Sequence, residues 1–221
     1  MKKVSVIIVA AGEGKRFGSA KQFALLKGKT VLDWSLEKFE EHGTIDSIIL
    51  VLGRDRSGDE YLAKYSKITA IANGGEKRQD SVYSGLCCVD AQETGIILVH
   101  DGARPLVGKD LIARTISTTI EKGAVIPVLP LEDTVKRVEG QKILQTEDRR
   151  QLFRGQTPQG FSCSLLKEAF SHALRDKFEG TDEAVLVERL GKEVFVIPGD
   201  RRNIKITTAE DMKIAEALIE D

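Results

Sequence analysis

Six short and uniformly apolar runs constrain the fold of this chain more than any other feature of its sequence. Val and Ile dominate them, and apolar residues do not alternate with polar ones, so the runs are typical of strands that are covered on both faces. They are VSVIIVA, SIILVLG, ITAIA, GIILVH, AVIPVLP and EVFVIP. A later stretch, NIKIT, is expected to form the last strand.

Stretches with helical spacing lie between these runs. They cover residues 30–41, 109–122 and 164–175. A last helix begins after Thr208, a good N-cap that forms a capping box with Asp211. Strands that alternate with helices in this way predict an α/β fold, with a doubly wound, mostly parallel sheet and helices on both of its faces.

The composition limits the class of protein. A length of 221 residues predicts one domain over residues 1–221. The 33 basic and 34 acidic residues nearly cancel, which argues against a nucleic-acid partner. No run approaches the ~20 apolar residues of a membrane span. Cys87, Cys88 and Cys163 lack CxxC spacing, so we expect small buried cysteines and a cytoplasmic location.

Residues 132–151 interrupt the alternation of strands and helices. The stretches TVKRV and QKILQT flank Glu139 and Gly140, which predicts a β-hairpin. A two-stranded ribbon is marginal in water, so we expect this segment to be an arm that projects from the sheet and leans on another surface, such as a second subunit. The alternative is a solvated excursion of the chain.

The first strand runs into a glycine-rich turn, AAGEGKRFGSAKQ. The turn is not a dinucleotide fingerprint, because Phe17 stands where glycine or alanine is needed, and no P-loop string is present. Small residues let backbone amides approach a phosphate closely, and Lys15, Arg16 and Lys21 add positive charge. That much charge suits a nucleoside triphosphate from which pyrophosphate departs. The alternative is a solvated loop.

Other candidate residues lie at the ends of predicted strands. Asp101 and Arg104 follow the fourth strand, where ligands bind in open parallel sheets, although Asp101 could instead be a cap. Gly74 and Gly75 could expose backbone amides to a base, with Ser81 in the helix that follows. Lys205, on the predicted last strand, has apolar neighbours and therefore needs an anion or an open cleft.

The chain as a whole resembles the 2-C-methyl-D-erythritol 4-phosphate cytidylyltransferase family. The strings that carry the resemblance are AAGEGKRFGSAKQ, GGEKRQDSV, VHDGARP, EDTVKR, TEDRRQLFRGQTPQGF, GTDEA and NIKIT. The resemblance implies a Rossmann-like nucleotidyltransferase fold and transfer of CMP from CTP to a methylerythritol phosphate in the non-mevalonate pathway. It also implies Mg²⁺ or another divalent cation as cofactor, and a homodimer formed through the arm.

The resemblance assigns roles to particular residues. The catalytic set that it implies is Arg16, Lys21, Arg149 and Lys205. The nucleotide-binding set is Ala10, Ala11, Gly12, Gly14, Arg16, Lys21, Gly75, Glu76, Ser81 and Lys205. The acceptor-binding set is Asp101, Arg104, Thr134, Arg149, Thr157 and Lys205. Asp101 is the candidate metal ligand, the alternative being Mg²⁺ held mainly by the phosphates of CTP.

Three other functions remain open at this stage. A ribitol 5-phosphate cytidylyltransferase would share the fold and the chemistry and differ in the acceptor. An NAD-dependent dehydrogenase would use the glycine turn for its dinucleotide, and Phe17 argues against that. A non-catalytic nucleotide-binding protein would not need Arg16, Lys21, Asp101 and Lys205 together, so their joint presence argues against this class.

Overall fold

The structure is a computed structural model that describes residues 2–14, 17–18 and 20–219. Its strands are β1 (Lys3–Ala10), β2 (Leu25–Leu26), β3 (Lys29–Thr30), β4 (Ser47–Leu52), β5 (Ile68–Asn73), β6 (Thr94–Asp101), β7 (Ala124–Pro130), β8 (Lys136–Glu139), β9 (Lys142–Thr146), β10 (Phe153–Gly155), β11 (Gln159–Ser162) and β12 (Phe195–Pro198). Its α-helices are α1 (Val31–Glu40), α2 (Asp59–Lys64), α3 (Arg78–Cys87), α4 (Lys109–Lys122), α5 (Cys163–Arg175), α6 (Glu183–Arg189) and α7 (Ala209–Leu218).

Eight of the described strands form the main sheet, in the order β10-β7-β11-β6-β1-β4-β5, with β12 also paired to β7. The pairs β1–β4, β1–β6, β4–β5 and β7–β12 are parallel. The short strands β10 and β11 are antiparallel to their neighbours. After β1 the chain forms β4 on one side of β1, and it later forms β6 on the other side of β1. The strand order therefore reverses between β1 and β6.

Helices cover both faces of this sheet, as the sequence predicts. Alternate residues of β1 point to opposite faces, so Ile8 packs with α1, α2 and α4, and Ile7 packs with α3, α5 and α6. The α1 residues Leu36 and Phe39 are fully buried on the first face, and Phe170 of α5 is fully buried on the second. The prediction of a doubly wound, mostly parallel α/β fold is confirmed.

The helix ends follow from local chemistry. Thr30 Oγ1 accepts a hydrogen bond from the backbone N–H of Asp33 at 3.0 Å and so caps α1. Gly123 ends α4 with φ of 86°, a conformation that favours glycine. Thr208 and Asp211 form the predicted capping box at the start of α7.

The predicted hairpin is present as a separate two-stranded sheet, in which β8 pairs antiparallel with β9. Its turn contains Gly140, with φ of 56°. Both strands are exposed along their whole length, including the apolar side chains of Val138, Ile143 and Leu144. The assignment of residues 132–151 as a projecting arm of one domain stays a prediction.

Two expectations were wrong. Residues 203–207 form no strand; instead the N–H of Ile206 donates to the backbone oxygen of Ala103 at 2.9 Å, and the Ile206 side chain packs with α1 and α7. Of the cysteines only Cys163 is buried, whereas Cys87 and Cys88 are exposed near the end of α3. No helix in the described parts of the chain is long and apolar enough to cross a membrane.

Candidate functional site

A cavity of about 450 Å³ lies beside the carboxyl ends of β1 and β6. This is where the strand order reverses, which is the usual ligand position in open α/β sheets. Its size falls within the range of small-molecule sites. It is lined by Val9, Ala10, Ala11, Gly12, Glu13, Gly14, Lys21, Gln22, Gly75, Glu76, Lys77, Arg78, Ser81, Asp101, Ala103 and Lys205.

The turn that follows β1 is held by a buried glutamine. Gln22 Nε2 donates to the backbone oxygens of Ala10 at 2.7 Å and Gly12 at 2.8 Å. Gly14 has φ of 68°, which favours glycine, and its backbone oxygen accepts from the N–H groups of Phe17 and Gly18. The turn is therefore shaped by the protein itself, and Lys21 begins the short 3₁₀-helix that contains Gln22.

A second turn, after β5, packs directly on the first. A Cβ on Gly74 would lie 2.2 Å from the Cβ of Ala11, so only glycine fits there. The Gly74 N–H donates to the backbone oxygen of Leu52 at 2.7 Å, and the Gly75 N–H donates to Ser81 Oγ at 3.2 Å. Both amides are hydrogen-bonded within the chain, and contact between this turn and a base stays a prediction. Ser81 Oγ in turn donates to the backbone oxygen of Lys77 at 3.1 Å.

Three cations surround the carboxylate of Asp101, the last residue of β6. Arg78 Nε donates to Asp101 Oδ1 at 3.0 Å. Lys205 Nζ lies 2.8 Å from Asp101 Oδ2, and Arg104 Nε lies 3.5 Å from the same oxygen. Lys205 thus has the anion that its apolar neighbours led us to expect, although it lies on a loop and not on a strand.

The electrostatics of this cluster keep Asp101 charged. Burial by itself would raise the pKa of Asp101, but the charges of Arg78, Lys205 and Arg104 outweigh burial and hold that pKa well below its usual value. Burial lowers the pKa of the Arg104 guanidinium. Asp101 is therefore a carboxylate that can accept hydrogen bonds throughout the physiological pH range.

Buried side chains behind the cavity position the backbone of Asp101. The Asp101 N–H donates to Thr157 Oγ1 at 3.1 Å, and the same hydroxyl lies 3.2 Å from Nδ1 of His100. Burial lowers the pKa of His100 to about 3, so the ring is neutral at physiological pH. Asn203 Nδ2 donates to the backbone oxygen of Thr157 at 2.8 Å, which ties the loop before Lys205 to the same support.

The structure brings most of the predicted site residues together. The members that line the cavity are Ala10, Ala11, Gly12, Gly14, Lys21, Gly75, Glu76, Ser81, Asp101 and Lys205. Arg16, like Lys15, lies outside the described residues. Arg104 and Thr157 are buried beside or behind Asp101. Thr134 and Arg149 flank the β8–β9 hairpin and are not among the residues that line the cavity.

Sequence reasoning missed three residues of the site: Gln22, Arg78 and Glu183. Arg78 Nη1 and Nη2 donate to Glu183 Oε1 and Oε2 at 2.7 and 3.1 Å, and the Glu183 side chain is buried. Arg78 and Glu183 do lie in two of the strings that carry the resemblance, GGEKRQDSV and GTDEA. Their pairing across 105 positions has no local sequence signal.

Comparison with known proteins identifies the family. The model of the 2-C-methyl-D-erythritol 4-phosphate cytidylyltransferase (IspD) family matches residues 4–221. The chain belongs to this family. A relative with that name from Alkaliphilus oremlandii is 41% identical over 227 residues, which cover 98% of this chain and 95% of the relative. Another, from Bacillus velezensis, is 43% identical over 221 residues, 97% of this chain and 94% of the relative.

A solved structure supports the same assignment. The crystal structure of the cytidylyltransferase of that name from Thermus thermophilus superposes with a TM-score of 0.83 at 35% sequence identity, and the match covers 98% of both chains. The Rossmann-like nucleotidyltransferase fold that the resemblance implies is therefore confirmed for the main sheet and its helices.

Proposed function

We propose that the chain transfers CMP from CTP to 2-C-methyl-D-erythritol 4-phosphate and releases pyrophosphate, in the non-mevalonate route to isoprenoid precursors. The observation that carries the proposal is the cavity where the strand order reverses, which is lined by Lys21, Lys205 and a charged Asp101, in a member of this family. We place the enzyme in the cytoplasm, with neither nucleic acid nor a membrane as a partner.

The reaction needs alignment and charge stabilisation more than acid–base chemistry. A phosphate oxygen of the acceptor attacks the α-phosphorus of CTP in line, a new P–O bond forms, and the bond to the β-phosphate breaks. The bonding electrons leave with pyrophosphate. The attacking group is already an anion, so no side chain has to remove a proton. The chain's task is to hold two anions together and to stabilise the charge that moves onto the leaving group.

The roles of the described residues follow from their positions in or behind the cavity, and the role of Arg16 is the one that the family resemblance implies. The turns at Ala10–Gly14 and Gly75–Ser81, including Ala11, Gly12 and Glu76, hold the nucleotide. Lys21, with Arg16, stabilises the departing pyrophosphate, and Lys205 serves the reacting phosphates. Asp101 accepts hydrogen bonds from the acceptor's hydroxyls. Arg104 and Thr157 hold Asp101 in place, which is an indirect part in acceptor binding.

The residues that line the cavity fit a Mg²⁺ ion that enters with CTP. The described residues contain no cluster of three or more His, Cys, Asp or Glu side chains suited to a metal. Asp101 lines the cavity, but both of its oxygens are paired with cations. Mg²⁺ commonly keeps several waters and is bound by one or two carboxylates together with substrate phosphates. We propose that the phosphates of CTP would hold the ion and that Asp101 would supply the protein carboxylate. The Mg²⁺ would neutralise part of the phosphate charge.

We also propose a homodimer formed through residues 132–151. The support is that β8 and β9 form an isolated ribbon with Val138, Ile143 and Leu144 exposed, and such a ribbon is marginal in water. Arg149 Nη1 donates to the backbone oxygen of Glu132, which connects the two ends of the segment. In the dimer, Thr134 and Arg149 would serve the acceptor site of the partner.

A substrate panel tests the proposed reaction. The chain is incubated with CTP and Mg²⁺ and with either 2-C-methyl-D-erythritol 4-phosphate, ribitol 5-phosphate or no acceptor, and pyrophosphate release is measured. We expect release with the methylerythritol phosphate. Faster release with ribitol 5-phosphate would reassign the acceptor, and no release with either acceptor would contradict the proposal. An absorbance assay for NADH formation, expected to be negative, tests the dehydrogenase alternative.

Replacing Asp101 by asparagine should lower kcat/KM for the acceptor by about 10²-fold, because the acceptor's hydroxyls lose their charged partner and its alignment is lost. Steady-state rates at varied acceptor concentration measure this. Asp110→Asn, an exposed change in the first turn of α4, is the control. Near-normal activity of Asp101→Asn across a Mg²⁺ titration would show that Asp101 is only a structural cap.

The same variant has a predictable pH dependence of stability. The pKa of Asp101 is lower in the folded chain than in the unfolded chain. Its charge therefore stabilises the fold above the unfolded pKa of about 3.9, and this contribution is lost as the pH falls toward the folded pKa. The difference in Tm between wild type and Asp101→Asn should be largest near neutral pH and should shrink below about pH 4.

A further inference from the structure

The carboxylate of Glu183 is the most deeply buried charge near the cavity. Glu183 is the first residue of α6 and is only 1% exposed. It forms a two-pronged ion pair with the guanidinium of Arg78, the first residue of α3. Burial raises the pKa of Glu183, against the opposing effect of Arg78. The fold therefore keeps a carboxylate in a place that disfavours its charge, and Arg78 is the cation that it faces.

The pair with Glu183 leaves the Nε side of the Arg78 guanidinium facing Asp101. Nη1 and Nη2 bind Glu183, and Nε donates to Asp101 Oδ1 at 3.0 Å. Lys205 occupies Oδ2 of the same carboxylate. Three cations and two carboxylates thus form one cluster with a net charge of +1. Arg78 therefore contacts Asp101 through Nε, at the side of the guanidinium, and not through the end that carries Nη1 and Nη2.

We propose that Glu183 is a positioning residue for the acceptor site: by holding the Nη1 and Nη2 end of Arg78, it prevents Arg78 from turning that end toward Asp101 and pairing with both of its oxygens. This inference rests on the proposed role of Asp101 in binding the acceptor's hydroxyls. A guanidinium with no second anion forms its strongest contact as a parallel pair of hydrogen bonds to a carboxylate. Without Glu183, Arg78 would cover both Asp101 oxygens and displace Lys205.

The neighbouring contacts support a positioning role over simple stabilisation. A buried ion pair is weak support for stability, since its desolvation often cancels its attraction. Residues 178–183 also hold the start of α3 at Gln79, whose Nε2 donates to the backbone oxygen of Phe178 and whose Oε1 accepts from the N–H of Gly180. The segment is thus already fastened by neutral bonds. The ion pair adds orientation of Arg78 toward Asp101.

The test is a comparison of kinetic constants for Glu183→Gln and Glu179→Gln. The second variant makes the same chemical change in the same segment, on an exposed residue whose partner is Lys77. We expect Glu183→Gln to raise the acceptor's KM by about 10- to 100-fold, the usual effect of removing a supporting partner, with the KM for CTP changed by less than about threefold. Glu179→Gln should match wild type in both constants.

Variants at Arg78 distinguish a positioning role of Glu183 from a purely stabilising one. In Arg78→Met no guanidinium remains to be held, so adding Glu183→Gln should produce little further change in the acceptor's KM. Arg78→Lys keeps the charge but cannot form a two-pronged pair, so adding Glu183→Gln to it should likewise change the acceptor's KM little. If Glu183→Gln does not fold, Glu183→Asp, which keeps the charge but draws the carboxylate back from the two Nη groups, should show the same acceptor-selective rise in KM. Thermal melting of every variant accompanies the kinetics.

Several outcomes would overturn the inference. They are a lowered Tm of Glu183→Gln with both KM values unchanged, an equal rise in the two KM values, and effects of the two substitutions that simply add. If the wild type is active and any of these results is obtained, only the proposed role of Glu183 is contradicted. A wild type that releases no pyrophosphate with either acceptor contradicts the proposed function, and the inference falls with it.

Discussion

Lys21→Ala is expected to lower kcat by about 10²- to 10³-fold, the usual cost of removing one group that stabilises charge in a transition state. Lys21 lines the cavity next to the glycine turn, and Gln22 fixes the start of its short helix through two backbone oxygens. Negative charge moves onto pyrophosphate only as the bond breaks. The loss should therefore appear mainly in kcat, with a smaller change in the KM for CTP.

Lys29→Ala is the matched control for this prediction. It removes a lysine from the same region of the chain, but Lys29 pairs with Glu37 on an exposed surface and is absent from the cavity lining. Its kcat and KM should be those of wild type. Single-turnover rates with saturating CTP measure the chemical step directly. A Lys21→Ala enzyme with normal kcat and only a raised KM for CTP would show that Lys21 binds the ground state and does not assist departure of pyrophosphate.

The sequence predicts the sheet and its main helices because their signals are local. Uniformly apolar runs mark β1, β4 and β6, and Gly123 and Thr208 mark helix ends, all of which the structure has. The strands β10 and β11 escaped prediction because they are three and four residues long and contain glycine. A Cβ on Gly160 would lie 2.1 Å from Oγ1 of Thr119, so glycine is required there by the close approach of α4.

The stretch NIKIT shows how an apolar pattern can mislead. Ile204 and Ile206 alternate with polar residues as they would on a strand, yet both pack against α1 and α7 from a loop. The chemical inference from the same residues was better than the structural one. A lysine among apolar neighbours needs an anion, and Lys205 has Asp101 at 2.8 Å.

The part of the site that sequence could not predict is the ion pair between Arg78 and Glu183 beside Asp101. Lys21, Asp101 and the glycine turns belong to compact motifs, so their strings carry the information. Arg78 and Glu183 each occupy the first position of a helix and look like ordinary charged residues there. Only the fold brings the first residue of α6 next to the first residue of α3, and burial of Glu183 is a property of the fold and not of its neighbours in sequence.

Mixed dimers of two inactive variants are expected to regain activity if Arg149 acts across the proposed subunit interface. Lys21→Ala and Arg149→Ala chains are dissociated, mixed and reassociated. In a mixed dimer, the site that retains Lys21 receives the intact arm of the Lys21→Ala partner. That site is wild type in both respects, and the other site carries both defects. A symmetric exchange therefore predicts up to about half of the wild-type rate per mixed dimer.

The control for this experiment is a mixture in which both changes lie in the same chain. Lys21→Ala/Arg149→Ala chains mixed with wild type should give mixed dimers in which each site has one defect, so activity should fall below that of unmixed wild type. Opposite outcomes from the two mixtures distinguish exchange of Arg149 from a general effect of mixing. Mass measurement must verify that subunits have exchanged. If mixed dimers form and the first mixture stays inactive, Arg149 serves its own chain or plays no part, because a reciprocal arm leaves one complete site in every such dimer.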